Sequence, residues 1–331
     1  LRVSCSYFAF RAEPFAARVF AVAAADVPFI LPLEACLPAR FVSGRKSMIP
    51  APFEYHRPES VEAAVKLIAD FGDSARVLAG GHSLIPMMKM RMTDIAHLVD
   101  LQKIGTLKGI RIDGRSVTIG AMTTQHELIE STALANVAPI LREAALQIAD
   151  PQVRYVGTLG GNVANGDPGN DMPALMQCLD ASYHLQGPDG ARTVKARDFY
   201  EAAYFTARTD EEILTAVSFE APAGGHAYVK QKRKTGDYAT AAAAVVIAKS
   251  GGACSAASIA MTNLSDTPVW CEAAGDALVG TALGAADVEN AVNAMLEVIN
   301  PQDDNKGPVP FKRHAAAVVL RRAIERAASR A

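Results

Sequence analysis

Two stretches of the chain place glycine pairs where backbone could meet a ligand. VLAGGHSLIP spans residues 77–86 and GTLGGNVANG spans residues 157–166. Glycine adopts φ > 0 without steric cost and lets the backbone approach a ligand closely. Successive free N–H groups in such a turn form a concave nest suited to phosphate oxygens. A single glycine pair usually only turns the chain. Two pairs, each behind an apolar lead-in, fit a diphosphate held from two sides. Ser83 and Thr158 would add hydroxyls and Asn162 an amide. Neither the Gly-x-x-x-x-Gly-Lys-Ser/Thr run of a P-loop nor the Gly-x-Gly-x-x-Gly of a dinucleotide fold occurs here.

Two further clusters follow. In GNVANGDPGNDMP (161–173), Asp171 reads as a helix N-cap or a first-turn acid, which the dipole favours. It also reads as an acceptor for sugar or ribityl hydroxyls, and the two roles are compatible. Asp167-Pro168 reads as a turn. In YVKQKRKTGDYATAAAA (228–244), Lys230, Lys232 and Lys234 alternate and would share one strand face. Such a face is usually solvated. Tyr238 follows the Gly236-Asp237 turn and could stack on a flat ligand. The five cysteines contain no Cys-x-x-Cys pair and are read as buried apolar residues, not cluster ligands. None of the seven histidines has a partner at ligand spacing, so none is assigned to a metal.

The elements that must carry these residues show in the periodicity. Val61, Ala64, Val65 and Ile68 mark a helix, with Ser60 as N-cap and Gly72 as its stop. ARVLAG is a buried strand entering the first glycine pair. Asp-Gly turns at 113–114 and 189–190 predict two hairpins. DMPALMQCLD predicts a helix starting near Asp171, with Pro173 in its first turn. APAGG (221–225) marks a boundary. Beyond it three strands precede three helices, an α+β order. The expectation is an α+β chain of two domains: 48–222, itself divided into two lobes, and 225–329, a smaller three-stranded sheet with helices.

With 331 residues, a net charge of −2 and half its residues hydrophobic, the chain has globular composition and no basic surplus for nucleic acid. Residues 1–47 are basic, broken by prolines and lack a signal-peptide core or membrane span. They are expected to reflect a disordered extension or a mis-set translation start, with Met48 the true first residue.

AGGHSLIP, TLGGNVANGDPGNDMP and KQKRKTGDYATAAA, in that order and spacing, resemble the FAD-binding medium subunit of the molybdenum hydroxylases, of the aerobic carbon monoxide dehydrogenase and xanthine dehydrogenase type. The resemblance covers residues 48–328. It implies a flavin domain of the p-cresol methylhydroxylase type followed by a smaller α+β domain. FAD would lie between the lobes, bound non-covalently, with His82 not a covalent anchor. The resemblance carries FAD contacts to Val77, Leu78, Ala79, Gly80, Gly81, His82, Ser83 and Leu84, then to Thr158, Leu159, Gly160, Gly161 and Asn162. It adds Asp171, Leu214, Lys230, Tyr238 and the weaker match Ile148. Lys230 and Tyr238 would stand nearest the isoalloxazine, Lys230 stabilising reduced flavin and Tyr238 restricting access. NKGPVPFKRH (305–314) departs from the family pattern and is expected to affect packing only.

The function so implied is electron transfer in the cytoplasm, as one subunit of a hetero-oligomer. A large molybdopterin subunit would oxidise the substrate, a small subunit would carry two [2Fe–2S] clusters, and FAD would pass electrons to NAD, quinone or oxygen. Two rivals are a stand-alone flavin oxidase or reductase, active without partners, and a non-catalytic assembly paralogue that binds FAD weakly.

Overall fold

The computed structural model describes residues 48–331. The expectations for residues 1–47, with Cys5 and Cys36, lie outside the described residues. The first lobe is a parallel sheet built on β1 (Glu54–His56), β2 (Ala75–Leu78) and β3 (His97–Asp100), in the order β1-β3-β2. Helix α1 (Val61–Phe71) starts where the sequence predicts: Ser60 accepts from the Ala63 amide at 3.2 Å. It stops at Gly72, whose φ of 50° suits glycine. Ala64, Val65 and Ile68 bury its apolar stripe against Val99 and Leu101. Helix α2 (Leu84–Lys89) follows the first glycine pair directly.

The second lobe is an antiparallel five-stranded sheet. Its strands are β4 (Ile110–Asp113), β5 (Ser116–Gly120), β6 (Ser182–Gly187), β7 (Gly190–Lys195) and, after a small hairpin of β8 (Tyr200–Ala202) and β9 (Phe205–Thr206), β10 (Ile213–Glu220). Both Asp-Gly hairpins form as predicted, closing Asp113 on Ser116 and Gly187 on Gly190. Between β5 and β6 run six helices: α3 (Gln125–Glu130), α4 (Thr132–Val137), α5 (Pro139–Ala145), α6 (Pro151–Val156), α7 (Leu159–Ala164) and α8 (Asp171–Cys178). A capping box of Thr124 and Glu127 starts α3.

The C-terminal sheet has three long strands, as expected: β11 (Gly225–Gln231), β12 (Ala241–Ser250) and β13 (Ala253–Thr262). A fourth, two-residue strand, β14 (Val269–Trp270), extends the expected three-stranded sheet at the β13 edge. Two residues carry no alternation to read, so the sequence pattern shows no sign of it. Helices α9 (Glu272–Asp276), α10 (Ala285–Val298) and α11 (Val309–Arg330) cover one face of this sheet. The other face packs on α5 and α8, with Tyr228, Ala242, Ala244 and Ala260 in the same core as Leu175 and Leu141. Both faces of β12 are therefore buried, which is why its AAAAVVIA run shows no polar alternation. Its alanines admit the covering helices at short range. Every residue of α8 is buried, as a helix between two layers must be. Among the described residues, no helix is long and apolar enough to cross a membrane.

Candidate functional site

The first glycine pair sits on the turn from β2 into α2. Gly81 has φ +76°, a conformation that favours glycine. A Cβ on Gly80 would meet the Val156 carbonyl oxygen at 2.4 Å and Gly157 Cα at 2.9 Å. Gly80 is thus required where the turn presses against the end of α6. Among the described residues, the amides of Gly80, Gly81, His82 and Ser83 donate to no protein acceptor. His82 and Ser83 are exposed. Four successive N–H groups there have no protein partner, which is what a nest requires.

The second glycine pair corrects the sequence picture of a second loop. Thr158 is an N-cap, and Gly160 and Gly161 lie in the first turn of α7. The Thr158 side chain caps the Gly161 amide and so supplies the local signal that starts a helical turn there. The amides of this segment are already satisfied. Leu159 donates to Thr123 O at 2.8 Å, Gly160 to Ala121 O at 2.8 Å and Gly161 to Thr158 Oγ1 at 3.0 Å. A Cβ on Gly160 would stand 2.5 Å from Ala121 Cβ. Here glycine serves close packing on β5's end. What this segment can offer a ligand is side chain: the Thr158 hydroxyl and the Asn162 amide nitrogen.

The two segments touch. A Cβ on Gly161 would lie 3.3 Å from Ala79 Cβ, so α7 packs on the first turn. Asn162 then links the pair to α8. Its Oδ1 accepts from the Met172 amide at 3.2 Å and its carbonyl from Asn170 Nδ2 at 2.8 Å. Asp171 is the first residue of α8, the position the sequence proposed. Its Oδ2 accepts from Lys230 Nζ at 2.8 Å and its Oδ1 from the Tyr228 hydroxyl at 2.5 Å. Lys230 also donates to Gln147 O at 3.2 Å.

Lys230 therefore lies on no solvated face. Its side chain is 1 % exposed and that of Asp171 6 %. Burial pushes the Asp171 carboxyl up, while the Lys230 ammonium and the Tyr228 hydroxyl pull it down. Burial also holds the Tyr228 hydroxyl well above the ordinary tyrosine range. Lys232, two positions on and partly buried, is lowered by desolvation and by its like-charged neighbour Lys230. Lys234 is exposed beyond the end of β11.

Tyr238 is 47 % exposed. Its ring lies over Gly169, where a Cβ would come within 3.0 Å of Cδ1. Desolvation, with Asp167 nearby, pushes its hydroxyl up to about 12. Asp167 makes the expected turn, accepting from the Gly169 amide at 2.9 Å. The Tyr238 turn is anchored from the C-terminal side. Asp237 bonds Lys306 and accepts from Arg233 at 3.1 Å, and these cations hold its carboxyl down at about 2. Lys306 also stands 5.8 Å from the centre of the Tyr238 ring. The divergent 305–314 segment thus does more than pack on the last helix, because it holds the turn that carries Tyr238.

The apolar candidates lie on or beside β2, α2, α7 and β10, and in the loop after α5. Val77 and Leu78 are in β2, and Leu84 opens α2. Leu159 is fully buried, and Leu214, in β10 beside a register shift, is 5 % exposed. Ile148, 7 % exposed, gives its carbonyl to Arg154 at 2.8 Å. Leu214 and Ile148 belong to the core shared by the second lobe and the C-terminal sheet. Sequence reasoning missed Tyr228, although strand alternation puts it on the Lys230 face. It also missed Tyr204, which is 63 % exposed at a φ of 65° and whose hydroxyl is pushed up by desolvation and by Asp167.

The unpaired amides, the hydroxyl and amide beside them, the buried acid–base pair and the exposed ring are the candidate site. Known proteins share both halves of the chain. The profile of the FAD binding domain in molybdopterin dehydrogenase matches residues 51–222, and that of the CO dehydrogenase flavoprotein C-terminal domain matches residues 226–327. The chain belongs to this family of FAD-binding medium subunits of molybdenum hydroxylases, and its cofactor is FAD. It is 58 % identical over 286 residues to the carbon monoxide dehydrogenase medium chain of Afipia carboxidovorans, covering 86 % of this chain and 99 % of that one. It is 44 % identical to the corresponding chain of Hydrogenophaga pseudoflava, over 86 % of this chain and 99 % of that one. The fold superposes on a chain of the cyanide-inactivated Cu,Mo-CO dehydrogenase with a TM-score of 0.84 and 57 % identity, covering 86 % of this chain and all of the other.

Proposed function

We propose that this chain carries electrons through FAD within a cytoplasmic molybdenum hydroxylase of the carbon monoxide dehydrogenase type. Its partners are a large molybdopterin subunit and a small subunit with [2Fe–2S] clusters, and its final acceptor is NAD, quinone or oxygen. When bound, FAD would supply the redox chemistry between the clusters and the external acceptor. The observation that carries the cofactor's placement is the run of unpaired amides from Gly80 to Ser83, packed beside Thr158 and Asn162. This geometry supports a pyrophosphate held by those N–H groups, with hydroxyl and amide contacts from the second segment.

Each further residue follows from its place. Asp171, with both oxygens already accepting one bond, keeps lone pairs for a hydroxyl of the cofactor. Lys230 fixes that carboxylate's orientation and brings positive charge to the same end of the site. Tyr238, exposed and anchored by the Asp237–Lys306 pair, offers its ring face to a planar group. Val77, Leu78, Ala79, Leu84, Leu159, Leu214 and Ile148 supply the apolar walls. His82 contributes its backbone and makes no covalent bond. The two functional units are 48–222 and 225–329, a reading supported by separate family matches over 51–222 and 226–327.

The test is the visible absorption spectrum of tagged protein purified from its own host. Flavin bands with a broad iron–sulfur shoulder are expected. Flavin bands alone, with activity in the isolated chain, would favour a stand-alone flavin oxidase or reductase. A colourless protein that added FAD does not restore would overturn the flavin placement.

A further inference from the structure

Three side chains of the first lobe, two on its edge strand β1 and one on the central strand β3, converge without serving the FAD site. β1 pairs with β3 in parallel, placing Glu54 opposite His97. His56, two residues along, points to the same face as Glu54. His56 Nε2 and His97 Nδ1 stand 3.2 Å apart. Glu54 Oε2 lies 3.4 Å from His97 Nδ1 and 3.9 Å from His56 Nε2. One ligand atom of each residue falls within 4.8 Å of the others.

We propose that Glu54, His56 and His97 form a binding site for a divalent transition cation, Zn²⁺ above all. The point equidistant from the three atoms lies about 2 Å from each, the length of zinc–imidazole and zinc–carboxylate bonds. Two imidazoles and one carboxylate are a donor set that zinc accepts, leaving a fourth position for water. The rings are held in place before any ion arrives. Phe71, at the end of α1, stacks on His97 with centroids 3.7 Å apart and planes 7° apart. The same ring lies 5.2 Å from His56 at 30°. The histidine side chains are about one-fifth exposed, 22 % and 19 %, while Glu54 at 72 % leaves an entry path. A bound cation would staple β1 to β3. The sequence hid the site because His56 and His97 are far apart in the chain, and strand pairing alone brings them together.

The probe is the metal itself, on full-length, FAD-loaded protein stripped with a chelator. Zn²⁺ is titrated by calorimetry, and Co²⁺ is added in parallel to read its visible ligand-field bands. The expected result is one equivalent of Zn²⁺ per chain and Co²⁺ bands of four-coordinate intensity. Loss of outer partners of a metal site alone weakens binding about 10–100-fold. His56→Ala and His97→Gln should therefore each weaken Zn²⁺ binding at least about tenfold and abolish the Co²⁺ bands. Glu54→Gln should weaken it less. Retained flavin absorbance certifies the fold of each variant. If His97→Gln loses flavin, His56→Ala at the sheet edge decides the question. Sub-stoichiometric Zn²⁺ binding, or isotherms unchanged by His56→Ala, would overturn the proposal.

Discussion

Replacing Lys230 by methionine removes the cation from a pair whose side chains are 1 % and 6 % exposed and 2.8 Å apart. The substitution keeps the stem's length and apolar packing. It leaves the Asp171 carboxylate buried with only the Tyr228 hydroxyl, and takes a donor from Gln147 O. Breaking a buried pair from one side costs about 3–5 kcal/mol. For a chain of this size 1 kcal/mol moves Tm by about 2 °C, so the Lys230→Met protein should melt roughly 6–10 °C lower. The loss should persist with FAD absent, because it arises between β11 and α8. It should also depend on pH. Burial raises the Asp171 carboxyl, and without Lys230 that push is less opposed. A carboxyl whose folded pKa lies above its unfolded value favours folding below the unfolded value. That contribution is lost as pH rises through the folded value. The deficit should therefore be largest at neutral pH and shrink on acidification. Adding Asp171→Asn should recover part of it, with a coupling of about 2–3 kcal/mol in the double-mutant cycle. Thermal unfolding followed by circular dichroism, with and without FAD from pH 5 to 8, reads all of this. A Tm within 2 °C of the parent, or a deficit that grows on acidification, would refute the reasoning.

Three further outcomes are expected. Gly80→Ala drives a methyl into the Val156 carbonyl at 2.4 Å, so the turn must shift and FAD content per chain should fall more than tenfold in equilibrium dialysis. Tyr238→Ala should change acceptor kinetics while flavin content stays near one per chain; simple loss of FAD would show that the ring's assigned role is wrong. The Asp237 carboxyl is held at about 2 by Lys306 and Arg233. The stability it adds is present above the unfolded carboxylate value and is lost as pH falls through about 2. Asp237→Asn should accordingly flatten the acid limb of the stability curve between about pH 4 and 2, as acid titration of the unfolding midpoint would show.

Local chemistry made much of this chain legible. Ser60 and Gly72 mark the ends of α1 because caps act within one turn of backbone. Asp113-Gly114 and Asp189-Gly190 announce their hairpins because few residues accept positive φ. Asp171 reads as an N-cap or a first-turn acid; it is the latter, with Asn170 at the cap. The first glycine pair reads as a nest, and its amides are unpaired. Tertiary structure decided the rest. The second glycine pair is a helix turn whose amides bond β5's end, a partner remote in sequence. The alternating lysines suggest a solvated strand face, yet α8 covers Lys230 and supplies Asp171 as its counter-ion. Lys306 and Tyr238 belong to segments that only the folded chain brings together. His56 and His97 share a face through parallel pairing, which carries no short-range signal because its partners are joined by a long crossover. Sequence pattern reports what a residue does with its near neighbours along the chain. Which buried charge meets which, and which imidazoles converge, depends on contacts between distant segments that periodicity cannot encode.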